Sequence, residues 1–179
     1  SALCVQAESV CCGANPRRRN RVGWMGRGSI GEVMLDSSGD YAGPDRVLEL
    51  DELLDALIED QFIAPAQAER LHFVLDETGK TYDHPLVPIA EQNWISALNA
   101  SATLDLERLT RWLAGRTGMV YGRIDPLKVD VAAVTNVIKH AYASRFSVLP
   151  IAVEGSRVTV ATAEPFVREW ERELVDLEK

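Results

Sequence analysis

Two β-branched runs near the C-terminus constrain the fold most. Val148-Leu-Pro-Ile-Ala-Val153 and Arg157-Val-Thr-Val-Ala-Thr162 flank Glu154-Gly-Ser156. Apolar and β-branched residues on both sides of a short Gly-containing turn predict an antiparallel hairpin. Pro150 cannot donate to a ladder, which suits an edge strand or a strand start. Helical periodicity precedes the hairpin, so the expected class is α+β.

The helical part begins near Val47. Val47, Leu50, Leu53, Leu54, Leu57 and Ile58 recur at helical spacing with acids between them. Asp45 is placed to cap this helix, and Gln61 lies near its end. Pro65 suits the first turn of a second helix over 65–77, and Gly79 its C-terminal stop. The pair reads as an N-terminal helical hairpin. His84–Ala90 carries two prolines and reads as extended, Glu91–Leu98 as a short helix, and Asn99–Thr103 as a loop. Thr103 or Asp105 starts a helix through Leu106, Leu109, Trp112 and Leu113 that ends near Gly115–Gly118. Met119–Ile124 reads as a short strand, followed by one helix carrying Val131, Val134, Val137, Ile138, Ala141 and Tyr142. With the hairpin this makes a three-stranded sheet packed on helices. Glu164-Pro165 opens a final charged helix from Phe166 to about Leu177, with Arg168, Glu169, Glu171, Arg172 and Glu173 spaced for intrahelical pairs.

Residues 1–46 differ in composition. They hold all three cysteines (Cys4, Cys11, Cys12) and the basic run Arg17-Arg18-Arg19-Asn20-Arg21. This part reads as an irregular leader or linker, and Met25 or Met34 is a candidate natural start. The expected division is 1–46 leader, 47–103 helical subdomain, 104–166 small α+β domain, and 167–179 the start of a linker helix.

The net charge of −8 and pI near 4.9 disfavour nucleic acid and anionic lipid as partners. No apolar run reaches the length of a membrane span, and the arginine run is followed by no apolar block of a secretory or twin-arginine signal. The chain is therefore expected to be cytoplasmic. Three cysteines crowded into the first dozen residues, with every histidine distant, are read as free thiols rather than as disulfides or zinc ligands.

Gly26-Arg-Gly-Ser-Ile-Gly-Glu-Val33 fits the kinase glycine-rich loop, G-x-G-x-x-G-x-V. A kinase needs a lysine presented by a nearby strand, yet the first lysine after Val33 is Lys80, and neither H-R-D nor D-F-G occurs. The flanks are neither strand nor helix, which also removes a dinucleotide-binding reading. Gly79-Lys80-Thr81 lacks the first glycine of a P-loop and ends a helix instead of opening one. His84, beside a proline, and His140 read as surface or capping residues. Glu49, Asp51, Glu52, Asp55, Glu59 and Asp60 read as a solvated helical face, with an acidic docking face as the sharper alternative. Catalytic, cofactor-binding and metal-ligating residues are all expected to be absent.

The order of short motifs over 104–173 resembles the N-terminal domain of the GspE/PulE/PilB family of type II secretion and type IV pilus assembly ATPases. Leu113-Ala114 leads to Gly118; a short strand runs from Tyr121 to the acid Asp125; a helix ends Ala141-Tyr-Ala-Ser-Arg-Phe146; Leu149-Pro150 starts the hairpin; and Ala161-Thr-Ala-Glu-Pro165 closes it. Val137-Ile138 stands where the family has Ile-Pro or Leu-Pro. The resemblance implies a non-catalytic docking or regulatory domain that binds the cytoplasmic part of an inner-membrane platform protein. It implies a peripheral place at the inner membrane through that partner. It further implies a hexameric P-loop motor, with ATP and magnesium, beyond Lys179, so that the chain is a fragment of the ATPase. Some relatives bind cyclic di-GMP through a motif starting Arg-Leu-Gly; here Arg70-Leu71 is followed by His72, then Gly79, Leu86 and Gln92, one residue short and interrupted by Pro85 and Pro88. A cyclic di-GMP sensing domain is the alternative reading.

Overall fold

A computed structural model describes residues 5–10, 44–125, 127, 129–154 and 157–171. The order of elements is β1 (Val5–Val10), α1 (Leu50–Glu59), α2 (Pro65–Thr78), α3 (Leu86–Glu91), β2 (Ile95–Ser96), β3 (Asn99–Thr103), α4 (Leu106–Thr117), β4 (Val120–Tyr121), α5 (Val131–Val137), α6 (His140–Arg145), β5 (Val148–Glu154) and β6 (Arg157–Thr162). The class is mixed α+β.

The expected helical hairpin forms with small shifts. Leu53, Leu54, Ala56 and Leu57 of α1 are buried, as the periodicity requires. Val47 is not part of that stripe: it lies before the helix and is 61% exposed. Gln61 reverses the chain in the left-handed region at φ 61°, and the amide of Phe62 returns to the carbonyl of Leu57 at 2.8 Å. These bonds satisfy carbonyls that the end of a helix leaves open. Pro65 opens α2 as expected, and Gln67 Oε1 accepts from the Ala64 amide at 2.8 Å. Gly79 stops it at φ 57°.

Residues 84–103 depart from expectation. The segment with two prolines is not extended but forms α3, with Pro85 at its N-cap and Pro88 within its first turn. First-turn amides have no intrahelical acceptor, so proline costs little there. The expected helix over Glu91–Leu98 does not form. Asn93 turns the chain at φ 51°, and the expected loop Asn99–Thr103 becomes a strand paired with β2. The amide of Ala97 bonds to the carbonyl of Phe62 at 3.0 Å, which ties this small hairpin to the turn after α1, and the amide of Leu104 closes it on the carbonyl of Trp94 at 2.7 Å.

Asp105 caps α4 by accepting from the Arg108 amide at 2.8 Å, and Gly118 ends it at φ 70°. The single helix expected after Asp125 is broken. Ile138 is extended (φ −127°, ψ 125°) and separates α5 from α6. Its side chain is buried in the second core, and a β-branched residue tolerates extended backbone well.

The main sheet is not three-stranded. Its order is β4-β1-β6-β5, with all pairs antiparallel. The extra strand comes from residues read as irregular leader: Val5–Val10 pairs along the whole of β6, from Val5↔Thr162 to Val10↔Arg157. The β5–β6 hairpin forms as predicted. β5 is an edge strand, with a register shift between Pro150 and Ala152. The final helix begins at Glu169 rather than Phe166, and its continuation lies outside the described residues, as do the Gly26–Val33 stretch and the cysteines.

Two cores result. The first gathers Leu53, Leu54 and Leu57 of α1, Leu71 of α2, Leu86 and Ile89 of α3, and Leu104, Leu109 and Leu113 around α4, together with Phe166. The second joins Ile138, Phe146, Val148, Val158, Val160 and Trp170. Leu104, Leu109 and Leu113 therefore share a core with the helices that precede them in the chain.

Candidate functional site

A polar cluster lies where residues 45–48 and 84 meet residues 163–169. Asp45 does not cap α1, whose N-cap Glu49 makes no side-chain cap bond. Its Oδ2 instead accepts from the amides of Arg168 (3.1 Å) and Glu169 (2.6 Å), the start of the last helical turn. The amide of Arg46 donates to the carbonyl of Phe166 at 3.3 Å. The Arg46 guanidinium lies 4.2 Å from the centre of the Phe166 ring and forks onto the Glu52 carboxylate of α1, with Nη2 2.6 Å from Oε1. Such a forked pair holds a planar guanidinium in one orientation.

Behind this contact sit two buried titratable groups. The Leu48 amide donates to Glu164 Oε2 at 3.0 Å. Leu86 N–H donates to His84 Nδ1 at 3.1 Å, so Nδ1 is unprotonated. Nε2 then carries the proton and donates to the Ala163 carbonyl at 3.0 Å. His84 is 5% and Glu164 9% exposed. Burial pushes the His84 pKa down, against a smaller upward pull from Ala163. Burial pushes the Glu164 carboxyl up, against the Leu48 amide. The carboxylate is 3.9 Å from Nε2, beyond hydrogen-bond distance. His84 is thus a capping residue, as one of its two expected roles had it, but it is buried and not at the surface.

The acidic face is partly committed to the fold. Arg116 of α4 reaches Glu59 at 2.9 Å and Asp60 at 2.6 Å, and Trp112 Nε1 donates to Asp60 Oδ2 at 2.7 Å. Burial opposes the Arg116 charge, but the bonds to Asp60 and Glu59 outweigh it and raise its pKa. Asp51 lies 3.2 Å from His72 Nε2. Glu49 and Asp55 are exposed. At the end of α6, Phe146 is 7% exposed and packed against Tyr142 with ring centres 4.8 Å apart, whereas the neighbouring Arg145 is exposed.

The residues of the Arg70–Gln92 stretch serve local structure. Leu71 and Leu86 are fully buried, Gly79 ends α2, and Gln92 Nε2 donates to the Pro88 carbonyl at 3.2 Å. Lys80, beside Gly79, pairs with Glu91 at 2.9 Å, where Tyr82 OH also donates at 2.8 Å. Among the described residues no group of three His, Cys, Asp or Glu is placed to hold a metal ion, and no helix is long and apolar enough to cross a membrane. The strap from Asp45 to Leu48 is not legible in a local window, because its partners Glu164, Phe166, Arg168 and Glu169 lie more than a hundred residues away. Asp45 itself was visible as a capping residue type.

Residues 117–178 match the MshEN domain family. The chain is 38% identical over 87 residues to the type IV pilus assembly ATPase TfpB of Acinetobacter baylyi (strain ATCC 33305 / BD413 / ADP1). That alignment covers 49% of this chain and 15% of the relative's length. No solved structure matches the chain. α5, α6 and the β5–β6 hairpin all fall inside the matched stretch. Over residues 117–178, about a third of the chain, the sequence is thus similar to the MshEN domain, the N-terminal domain of GspE/PilB-family ATPases.

Proposed function

We propose that the chain is the non-catalytic N-terminal docking module of a type II secretion or type IV pilus assembly ATPase. In this reading it binds the cytoplasmic domain of an inner-membrane platform protein and positions a P-loop motor that follows in the same polypeptide. The ATP and magnesium belong to that motor. The observation that carries the reading is the MshEN match over residues 117–178. The named pilus ATPase among its relatives supports it.

The face offered to the platform protein is the outer side of α1. Asp51 and Asp55 are its exposed carboxylates, whereas Glu59 and Asp60 are occupied by Arg116. A basic partner surface would complement it.

The test is a binding titration between the full-length ATPase and the purified platform domain. Deleting the N-terminal module should abolish binding, and Asp51→Lys with Asp55→Lys should weaken it about tenfold or more at low salt. Undiminished binding by the deleted ATPase would sink the docking reading. Unchanged binding by the double charge reversal would remove only the α1 face. A dose-dependent melting shift with cyclic di-GMP, without platform binding, would favour a sensing domain instead.

A further inference from the structure

Phe166 belongs to the first core and Trp170 to the second, and both are almost fully buried. The segment between them is held from one side by residues 45–48, through the amides and the ring contact described above. A continuous series of contacts runs from Glu52 of α1 through Arg46 to Phe166, and from Asp45 to the turn that begins at Glu169. Trp170 anchors the far side, donating through Nε1 to the Val167 carbonyl at 2.7 Å, while Tyr142 OH of α6 donates to the Trp170 carbonyl at 3.2 Å.

We propose that residues 45–48 and 163–170 form a lock that makes the two cores one cooperative body, so that the helical layer sets the direction in which the chain leaves at Glu171. Asp45 is its positioning residue. It is exposed and belongs to neither core, so its removal opens the lock without creating a cavity in either. A displacement of α1 is then felt at the exit turn, whatever ligand or partner causes it. The lock stands independently of the docking reading.

The test is hydrogen exchange on the 179-residue chain through a denaturant series, comparing peptides from α1 and α4 with peptides from β5 and β6. In the unsubstituted chain both sets should open together, as one cooperative unit. Asp45→Ala should speed exchange at the Arg168 and Glu169 amides about tenfold or more, since both lose a charged acceptor. The β5–β6 peptides should then open at lower denaturant than those of α1 and α4. Asp45→Asn, which keeps a side-chain oxygen, should restore much of the coincidence. Separate openings already in the unsubstituted chain, or coincident openings with unaltered exchange at 168–169 in Asp45→Ala, would overturn the lock.

Discussion

Phe166 and Trp170 are four residues apart and lie in different hydrophobic cores. Truncating either should therefore have asymmetric consequences. Phe166→Ala removes a 2%-exposed ring from among the α1–α4 leucines and should cost about 3–5 kcal/mol. Hydrogen exchange should place the first loss of protection in α1 and α4. In Trp170→Ala it should fall in β5 and β6. Both rings belong to the segment that locks the cores together, so each truncation also uncouples them; equal losses in both cores would mean that the coupling survives without the ring.

Glu164→Gln should stabilise the chain at neutral pH. The amide oxygen still accepts from Leu48, and the buried charge is gone. Because the Glu164 pKa is raised, its contribution is full below the unfolded value near 4.5 and is lost as pH rises through the folded value. The gain in melting temperature should thus appear at pH 7–8 and vanish near pH 4. Melting curves at both pH values decide it; a lower melting temperature at pH 7 would mean that the carboxylate is needed as an anion.

His84 has the opposite sign. Its pKa is lowered, so its contribution is full above the unfolded value near 6.5 and is lost as pH falls through the folded value. Protonating Nδ1 sets a donor against the Leu86 N–H. In the Glu164→Gln background, stability should fall on acidification below pH 6.5, and His84→Gln should flatten that slope. His84→Ala should cost about 1–3 kcal/mol at pH 7 for the stranded Leu86 amide, plus the lost packing. An unaltered slope in His84→Gln would assign the acid sensitivity to other groups.

Two glycines near the end of α4 should respond in opposite directions. Gly115 lies within the helix, where an added Cβ meets nothing within 4 Å, so Gly115→Ala should stabilise by about 0.5–1 kcal/mol. Gly118 has equal space but a φ of +70°, so Gly118→Ala should cost about 1–2 kcal/mol through backbone strain alone. Chemical denaturation of both variants gives the signs directly.

Arg116 clasps the last turn of α1. Arg116→Ala removes the partners of Glu59 and Asp60 and frees the indole–Asp60 bond from its neighbour. It should cost about 1–3 kcal/mol, and less in high salt than in low. A cost above this range that salt does not change would point to packing of the arginine stem against Trp112 as the larger effect.

Local signals in the sequence translated well into structure. Pro65 and Gly79 bracket α2, Asp105 and Gly118 bracket α4, and β5 pairs with β6 as an antiparallel hairpin. Each acts through its own backbone geometry, so a window of a few residues contains the information. The misses are non-local. Val5–Val10 is a strand only because β4 and β6 receive it, and Asp45 spends its carboxylate on amides 123 and 124 residues away. Ile138 breaks a helix whose periodicity continues through it, because the second core takes its side chain. The candidate site was legible only in its residue types. His84 reads as a surface or capping residue and Asp45 as the cap of α1, but nothing local reveals that His84 is buried or that Asp45 serves the turn at Glu169 instead.

Pro150 and the register shift beside it lie on the outer strand of the sheet. A proline nitrogen offers no hydrogen to an incoming strand, and an irregular register denies it a matching ladder. At high local concentration, copies of such a domain would bring their sheet margins together. This margin resists zipping onto its neighbours, so crowding in an assembly need not become aggregation.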